Sequence, residues 1–160
     1  MLKLVRTTSR KAGLPPGSPV FIGEKVTEKF GLDMVTYDAE NLSLSTPVRL
    51  DDFRLLKETP GNTWIRVHGL HDAEAVDSFC LSFGLHPLTI EDILHTGQRP
   101  KTDHYDDYLF LVINLINYDE ANKGMSMEQI SFVLGPNYLL TFHEKNDDIF
   151  DDVLARLETN

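Results

Sequence analysis

The sequence predicts an α/β domain in which a mixed parallel and antiparallel sheet is flanked by helices, as an α/β/α sandwich. Three observations predict this class. Short apolar runs of strand length are interspersed with segments of helical periodicity. The last three strand-like runs follow one another with short links, which favours an antiparallel meander. The 160 residues, with 41% hydrophobic and 25% charged side chains, suit one domain of ordinary globular composition.

Four strand-like runs precede the clearest helix, at 19–23, 34–37, 42–45 and 64–67. Turn residues at 38–41 join the second run to the third. A short helix capped by Asp51 or Asp52, and then a turn over 59–62, separate the third run from the fourth. The fourth run ends at Gly69, and the order so far is therefore three strands, a short helix and a strand.

Two helices follow, and their end signals are clear. The first extends over 72–83, with Asp72 as N-cap and Gly84 as the stop signal. Its apolar positions recur at i, i+3, i+4 and i+7, namely Val76, Phe79, Cys80 and Phe83. The second is short and begins at Pro87, a residue that suits the first helical position. The first helix therefore has one apolar stripe, and the second carries Leu88, Ile90, Ile93 and Leu94.

The C-terminal half is dominated by strands. The run 108–113 is apolar at every position and predicts a central strand covered on both faces. Runs 130–134 and 138–142 predict two further strands around the tight turn 135–137. A last helix begins near Asp147, and its apolar stripe comprises Phe150, Val153, Leu154 and Leu157.

Charge is unevenly distributed along the chain. Residues 1–17 contain four basic residues and no acid, and with the breaker run 13–17 they predict a flexible N-terminal tail before a domain over 18–160. The other 11 of the 15 basic residues stand against 25 acidic residues, a formal charge of −14. Such a body repels nucleic-acid phosphates, so no nucleic-acid partner is expected, whereas excess carboxylate is compatible with attracting hard cations.

Compartment and enzyme class are constrained mainly by missing signals. Cys80 is the single cysteine, so no disulfide forms within the chain and a reducing compartment is expected. No run reaches the roughly 18 apolar residues that span a bilayer. The chain has no glycine-rich phosphate loop, no CxxC, no Gly-x-Ser-x-Gly and no His-Glu-x-x-His, so a non-enzyme is expected. Six scattered histidines leave a zinc site assembled in three dimensions as an open alternative: His68, His71, His86, His95, His104 and His143.

Glu91 and Asp92 are the candidate metal ligands, and two explanations of them are open. As acids in the first turns of a short helix, they complement its dipole, a role worth about 0.3–1 kcal/mol each. Alternatively, each contributes a ligand to an ion held against a second surface, because adjacent helical side chains point about 100° apart. Magnesium suits this second arrangement, since it keeps several waters and needs only one or two carboxylates.

The wider pattern resembles a known family. The segment 88–94, LTIEDIL, followed by Gln98, Arg99, Pro100 and Lys101, resembles the hallmark of the cytosolic domain of CorA-type magnesium transporters. Runs at 64–70, 105–111, 128–134, 140–144 and 148–153 resemble the neighbouring strands and the final helix of that domain. The resemblance covers residues 19–160, and its most specific part is the glutamate-aspartate pair with the Gln-Arg-Pro-Lys run.

The resemblance implies a homopentameric transporter of magnesium and, in some members, cobalt or nickel. Its cytosolic funnel domain is followed by a stalk helix and two membrane helices with a Gly-Met-Asn motif, and the present chain stops before them. The full-length protein would lie in the cell inner membrane, with this domain facing the cytoplasm. Glu91 and Asp92 match the acidic positions that hold regulatory Mg²⁺ between neighbouring subunits, and the partner carboxylate comes from the adjacent stalk.

Some functional alternatives stay open at this point. One is the equivalent domain of a zinc transporter of the same architecture, and another is a stand-alone cytosolic metal-binding protein. The Gln98–Lys101 run also has two interpretations. Arg99 and Lys101 either pair with acids of a neighbouring subunit or stalk, or pin the loop within the domain while Pro100 fixes its path.

Overall fold

The computed structural model describes residues 11–45, 61–119, 123–145 and 149–159. Seven strands and three helices lie within these residues. In chain order they are β1 (Gly31–Tyr37), β2 (Leu42–Ser45), β3 (Asn62–His68), α1 (Ala73–Ser82), α2 (Pro87–Leu94), β4 (Lys101–His104), β5 (Leu109–Asp119), β6 (Gly124–Leu134), β7 (Tyr138–His143) and α3 (Asp151–Thr159). The predicted helix at Asp51 or Asp52, and Asp147 as the start of the last helix, fall outside the described residues.

All seven strands belong to one sheet, in the order β2-β1-β3-β7-β6-β5-β4. Strands β5, β6 and β7 form the predicted antiparallel meander. The single parallel pair joins β3 to β7 and places Ile65 opposite Leu140. The predicted fold class, a mixed sheet with helices, is therefore confirmed.

Helices α1 and α2 cover one face of the sheet and form the core with it. Phe79 of α1 meets Phe142 of β7 edge to face, with ring centroids 6.1 Å apart. Ile90 and Ile93 of α2 belong to the same buried cluster. The predicted N-cap of α1 is confirmed, because Asp72 Oδ1 accepts a hydrogen bond from the Ala75 amide at 3.2 Å.

On the opposite face of the sheet, the side chain of Trp64 is buried. This side chain alternates with Ile65 along β3 and so points away from α1 and α2. Its indole N–H donates to Thr141 Oγ1 at 3.1 Å, and its ring meets that of Phe150 at 5.2 Å. Helix α3 starts directly after Phe150 but has no buried residue of its own. The predicted apolar stripe of the last helix is therefore only partly covered: Phe150, Leu154 and Leu157 are partly buried, and Val153 is exposed.

Two predictions about strands were wrong. The run 19–23 makes a single bridge, between Ile22 and His95, and thus lies along the end of α2. Strand β5 is second from the sheet edge. Its Phe110 and Val112 are fully buried, whereas the alternating Leu111 is only partly buried. Continuous apolarity in β5 therefore reflects one buried face and one partly covered face.

In the described part of the chain, no helix is long and apolar enough to cross a membrane.

Candidate metal-binding site

Helix α2 places the two predicted ligands at its half-exposed side. Pro87 starts the helix, and His86 is its N-cap, with Nδ1 accepting from the Leu88 amide at 3.2 Å. The apolar residues of the helix, such as Ile90 and Ile93, are buried against the core. Glu91 lies between them in sequence and points away from the core, as does Asp92, so both carboxylates remain within reach of solvent.

The Asp92 carboxylate is held at both oxygens. The Gln98 side-chain amide donates to Oδ1 at 2.6 Å, and the Lys101 ammonium lies 2.6 Å from Oδ2. The Asp92 side chain keeps 18% of its exposure. Charge-assisted contacts of this length are the stronger kind of hydrogen bond. The site is thus a preoriented carboxylate whose positive partner is already supplied by the chain.

Lys101 bridges two acids. Its Nζ atom lies 2.6 Å from Asp92 Oδ2 and 2.7 Å from Asp103 Oδ2. The pair Lys101 and Asp103 shares one side of β4, because side chains two apart in a strand lie on the same face. Partial burial acts to lower the pKa of Lys101, but its bonds to Asp103 and Asp92 raise that pKa above its ordinary value. The ammonium is therefore charged at neutral pH.

The loop between α2 and β4 is fastened to the meander. The side chain of Gln129 in β6 accepts from the backbone N–H of Gln98 at 2.7 Å and donates to the backbone carbonyl of Asp92 at 3.4 Å. Asn114 of β5 donates to the Gln98 carbonyl at 3.5 Å. The explanation that the Gln98–Lys101 run pins the loop within the domain is the one these contacts support.

Arg99 and Pro100 have a different position from their neighbours. Both are exposed. Within the described residues Arg99 makes no ion pair, whereas Lys101 makes two. The residues of the Gln98–Lys101 run therefore have different roles. Gln98 and Lys101 hold Asp92, whereas Arg99 faces outward.

Glu91 is paired with the N-terminal segment. Lys11 Nζ lies 3.0 Å from Oε1, and the Gly17 amide donates to Oε2. Partial burial acts to raise the pKa of Glu91, but the Gly17 hydrogen bond and Lys11 together hold it below its ordinary value. The structure places residues 11–17 of the predicted tail against α2, and residues 1–10 lie outside the described part.

The described residues do not complete a metal site by themselves. No group of three or more His, Cys, Asp or Glu side chains is arranged there to hold a metal ion. Two of the histidines have structural partners instead: His71 pairs with Glu144 at 2.9 Å, and His86 caps α2. The site offers carboxylate oxygens for a hard cation, but further ligands must come from water or another surface.

Sequence reasoning missed several residues that shape this site. No pattern in the sequence marks Asp103, and Lys11 lies in the predicted N-terminal tail. Asn114 interrupts an apolar run, and that interruption is the signal that marks it, whereas Gln129 directly precedes the apolar run 130–134. Their long-range partners were not readable from spacing.

The fold and the site define a class: an α/β domain in which the half-exposed side of a short helix carries cation-paired carboxylates. A family model described as CorA-like Mg²⁺ transporter protein matches residues 60–160. The chain therefore belongs to the CorA-like Mg²⁺ transporter family, which is a family of transporters and not of enzymes.

One curated relative and two solved structures place the chain further. It is 35% identical over 152 residues to the cobalt/magnesium transport protein CorA of Thermotoga maritima, covering 95% of this chain and 43% of the relative. The soluble domain of CorA from Methanocaldococcus jannaschii has 13% identity and a TM-score of 0.55, covering 81% of this chain and 46% of that one. The ZntB cytoplasmic domain from Vibrio parahaemolyticus has 15% identity and a TM-score of 0.60, covering 82% and 51%.

These structural likenesses, at such low identity, show the fold. They confirm that the sheet and helices form the domain expected from the resemblance to CorA-type transporters. The chain spans less than half the length of the Thermotoga relative.

Proposed function

We propose that this chain is the cytoplasm-facing, Mg²⁺-sensing domain of a homopentameric magnesium and cobalt transporter of the inner membrane. Glu91 and Asp92 form half of a regulatory site between neighbouring subunits. Membership of the CorA-like family supports the proposal, as does the Thermotoga relative, whose name gives cobalt and magnesium transport. Binding of Co²⁺ or Ni²⁺ at the same carboxylates belongs to the proposal too.

The observation that carries it is the environment of Asp92. Its carboxylate is oriented by Gln98, remains partly exposed and is neutralised by a flexible ammonium group. The helix dipole does not account for Asp92, because no acidic residue lies in the first turn of α2 and Asp92 lies close to its C-terminal end. Oxygen donors of this kind suit Mg²⁺, which takes one or two carboxylates and retains several waters.

A neighbouring subunit would supply what the described residues lack. The formal charge of the chain is −10, so copies packed side by side repel one another unless cations lie between them. Bound Mg²⁺ would bridge carboxylates across the interface and favour the symmetric, closed arrangement. The ion shifts that equilibrium only by its higher affinity for the closed state.

The first test is Asp92→Asn in the full-length transporter, with limited proteolysis followed over a series of Mg²⁺ concentrations. The substitution keeps the size of the side chain and removes its charge. We expect Mg²⁺-dependent protection to require a concentration about tenfold higher, which corresponds to about 1.4 kcal/mol. Asp106→Asn, which removes an exposed acid from the β4–β5 turn, is the matched control. Protection that is unchanged in Asp92→Asn contradicts the proposed role of Asp92.

A second test uses calorimetry on the 160-residue chain. Half a site dehydrates a hard cation poorly, so we expect Mg²⁺ to bind with a dissociation constant on the order of millimolar or weaker. Micromolar binding of Mg²⁺ would mean that the chain contains a complete site. Micromolar binding of Zn²⁺ that survives Asp92→Asn would instead favour the zinc-transporter alternative, with histidines as ligands.

A further inference from the structure

We infer that Lys101 is a built-in competitor of the divalent cation at Asp92, and that Asp103 is the place to which its ammonium group moves when the cation binds. The pair would then set the cation concentration at which the site responds. This inference rests on the proposed function, because it concerns the regulation of the same site.

The geometry provides both positions of the ammonium group at once. Nζ of Lys101 is 2.6 Å from Asp92 and 2.7 Å from Asp103, so it is already bonded to the acid that would retain it. The Asp92 side chain is 18% exposed and that of Asp103 is 42% exposed. Asp103 therefore offers the more solvated position, in which a lysine head group is readily accommodated.

Competition follows from charge. An ammonium and a divalent cation cannot both approach the same carboxylate closely, since like charges a few ångströms apart repel strongly at a partly buried site. Lys101 has a flexible four-carbon stem, so its head group moves without movement of the backbone. It also lies 5.5 Å from the centroid of the Phe110 ring, a contact that does not depend on Asp92.

Gln98 keeps the Asp92 carboxylate in place while the Lys101 ammonium group is exchanged for a cation. Its amide holds Asp92 Oδ1, the oxygen that Lys101 does not use. When Lys101 leaves, Asp92 therefore keeps its orientation and exposes Oδ2 to a hydrated cation. The backbone N–H of Gln98 donates to Gln129 Oε1, so the loop keeps its position during the exchange.

The experiment follows the side-chain amide resonance of Gln98 by NMR while Mg²⁺ is added to the 160-residue chain. Lys101→Met should lower the Mg²⁺ concentration at half-saturation about fivefold, and Asp103→Asn should raise it about twofold or more. Arg99→Gln and Asp106→Asn are the charge-matched controls, because each removes the same charge nearby from an exposed side chain. Arg99→Gln should change the Mg²⁺ concentration at half-saturation by less than half as much as Lys101→Met. Asp106→Asn should likewise change it by less than half as much as Asp103→Asn.

The outcomes separate this inference from the proposed function. Equal shifts in Arg99→Gln and Lys101→Met would show general electrostatics only, and would overturn the inference. A Lys101→Met variant with the same Mg²⁺ concentration at half-saturation as the unmodified chain would also overturn the inference. The same holds if added Mg²⁺ does not shift the Gln98 side-chain resonance in Lys101→Met. In all of these cases the proposed function is decided separately, by the proteolysis of Asp92→Asn. If Lys101→Met does not fold, Lys101→Gln provides the same comparison with a polar side chain.

Discussion

Glu144 fastens two separate stretches of the chain to the end of β7, and its replacement is the sharpest test of how this domain is held together. Its side chain is 7% exposed. Oε1 accepts from the Val26 amide at 3.1 Å and lies 2.9 Å from His71 Nδ1, while Oε2 accepts from the His71 amide at 3.1 Å. The carboxylate at the end of β7 thus holds the segment before β1 and the start of α1.

The perturbation is Glu144→Gln, which preserves volume and leaves one acceptor oxygen in place of two. If that oxygen replaces Oε1, the new amide faces the His71 N–H, so two donors oppose each other. A hydrogen bond to a charged group contributes about 1.5–3 kcal/mol, and a buried donor left without a partner costs about 1–3 kcal/mol. We expect the free energy of unfolding to fall by about 2–4 kcal/mol, and the melting temperature by roughly 5–15 °C for a chain of this size.

The assay is urea unfolding at neutral pH, followed by the fluorescence of Trp64, the single tryptophan, whose ring is buried in the native state. Glu74→Gln is the matched control, because Glu74 is exposed in the first turn of α1. The control should stay within about 0.5 kcal/mol of the unmodified chain. If Glu144→Gln also stays within that range, the three contacts of Glu144 do not fasten the domain.

Three further predictions concern single features. The pKa of Glu91 is lower in the folded chain than its unfolded value of about 4.3. The hydrogen bond from the Gly17 amide to Glu91 therefore stabilises the fold fully above the unfolded pKa, and this stabilisation is lost as the pH falls through the lower folded pKa. The Gly17 amide resonance should follow this change. Burial raises the pKa of the Cys80 thiol, so Ellman's reagent should label it at pH 8 only in denaturant. Gly69 has φ +76°, and a Cβ there would collide with the Lys29 carbonyl, so Gly69→Ala should destabilise the chain by about 2 kcal/mol or more.

Each of these three has a result that would contradict it. In Glu91→Gln the Gly17 resonance should be independent of pH between about 3 and 5; an unchanged acid transition in that variant would assign the transition to another group. Labelling of Cys80 in native buffer within minutes would mean that α1 opens readily. Gly84→Ala is the control for Gly69→Ala, because Gly84 also has a positive φ but nothing lies near its missing Cβ. Equal losses in the two variants would rule out the collision.

Local patterns in the sequence were sufficient for most of the secondary structure. The apolar stripe of α1, its cap Asp72 and the start of α2 at Pro87 were all readable, because these signals act over one or two helical turns. The β5–β6–β7 meander was readable for the same reason, since short links leave neighbouring strands few alternatives. The edge strand β4 was missed, because its four residues, Lys101–His104, have no apolar alternation and pair only with β5.

The contacts that define the site were decided by the tertiary structure. Asp92 and Lys101 are nine residues apart, and only the turn after α2 with the pairing of β4 on β5 brings them to 2.6 Å. Gln129 reaches the Asp92 carbonyl across 37 residues, through the register of the meander. Gly17 is 74 residues from its acceptor Glu91. No local pattern encodes such distances, since they depend on how the whole sheet is ordered.

By itself, then, the sequence determined an acidic α/β domain, placed Glu91 and Asp92 in a short helix, and carried the motif that marks the CorA-like family. It left open whether the Gln98–Lys101 run faces a neighbour or its own domain. The tertiary structure decided the partners of Lys101 within the chain, which are Asp92 and Asp103, and it leaves Arg99 exposed. The physical reason is that side-chain composition and periodicity are local, whereas the partner of a charge depends on which strand lies beside it.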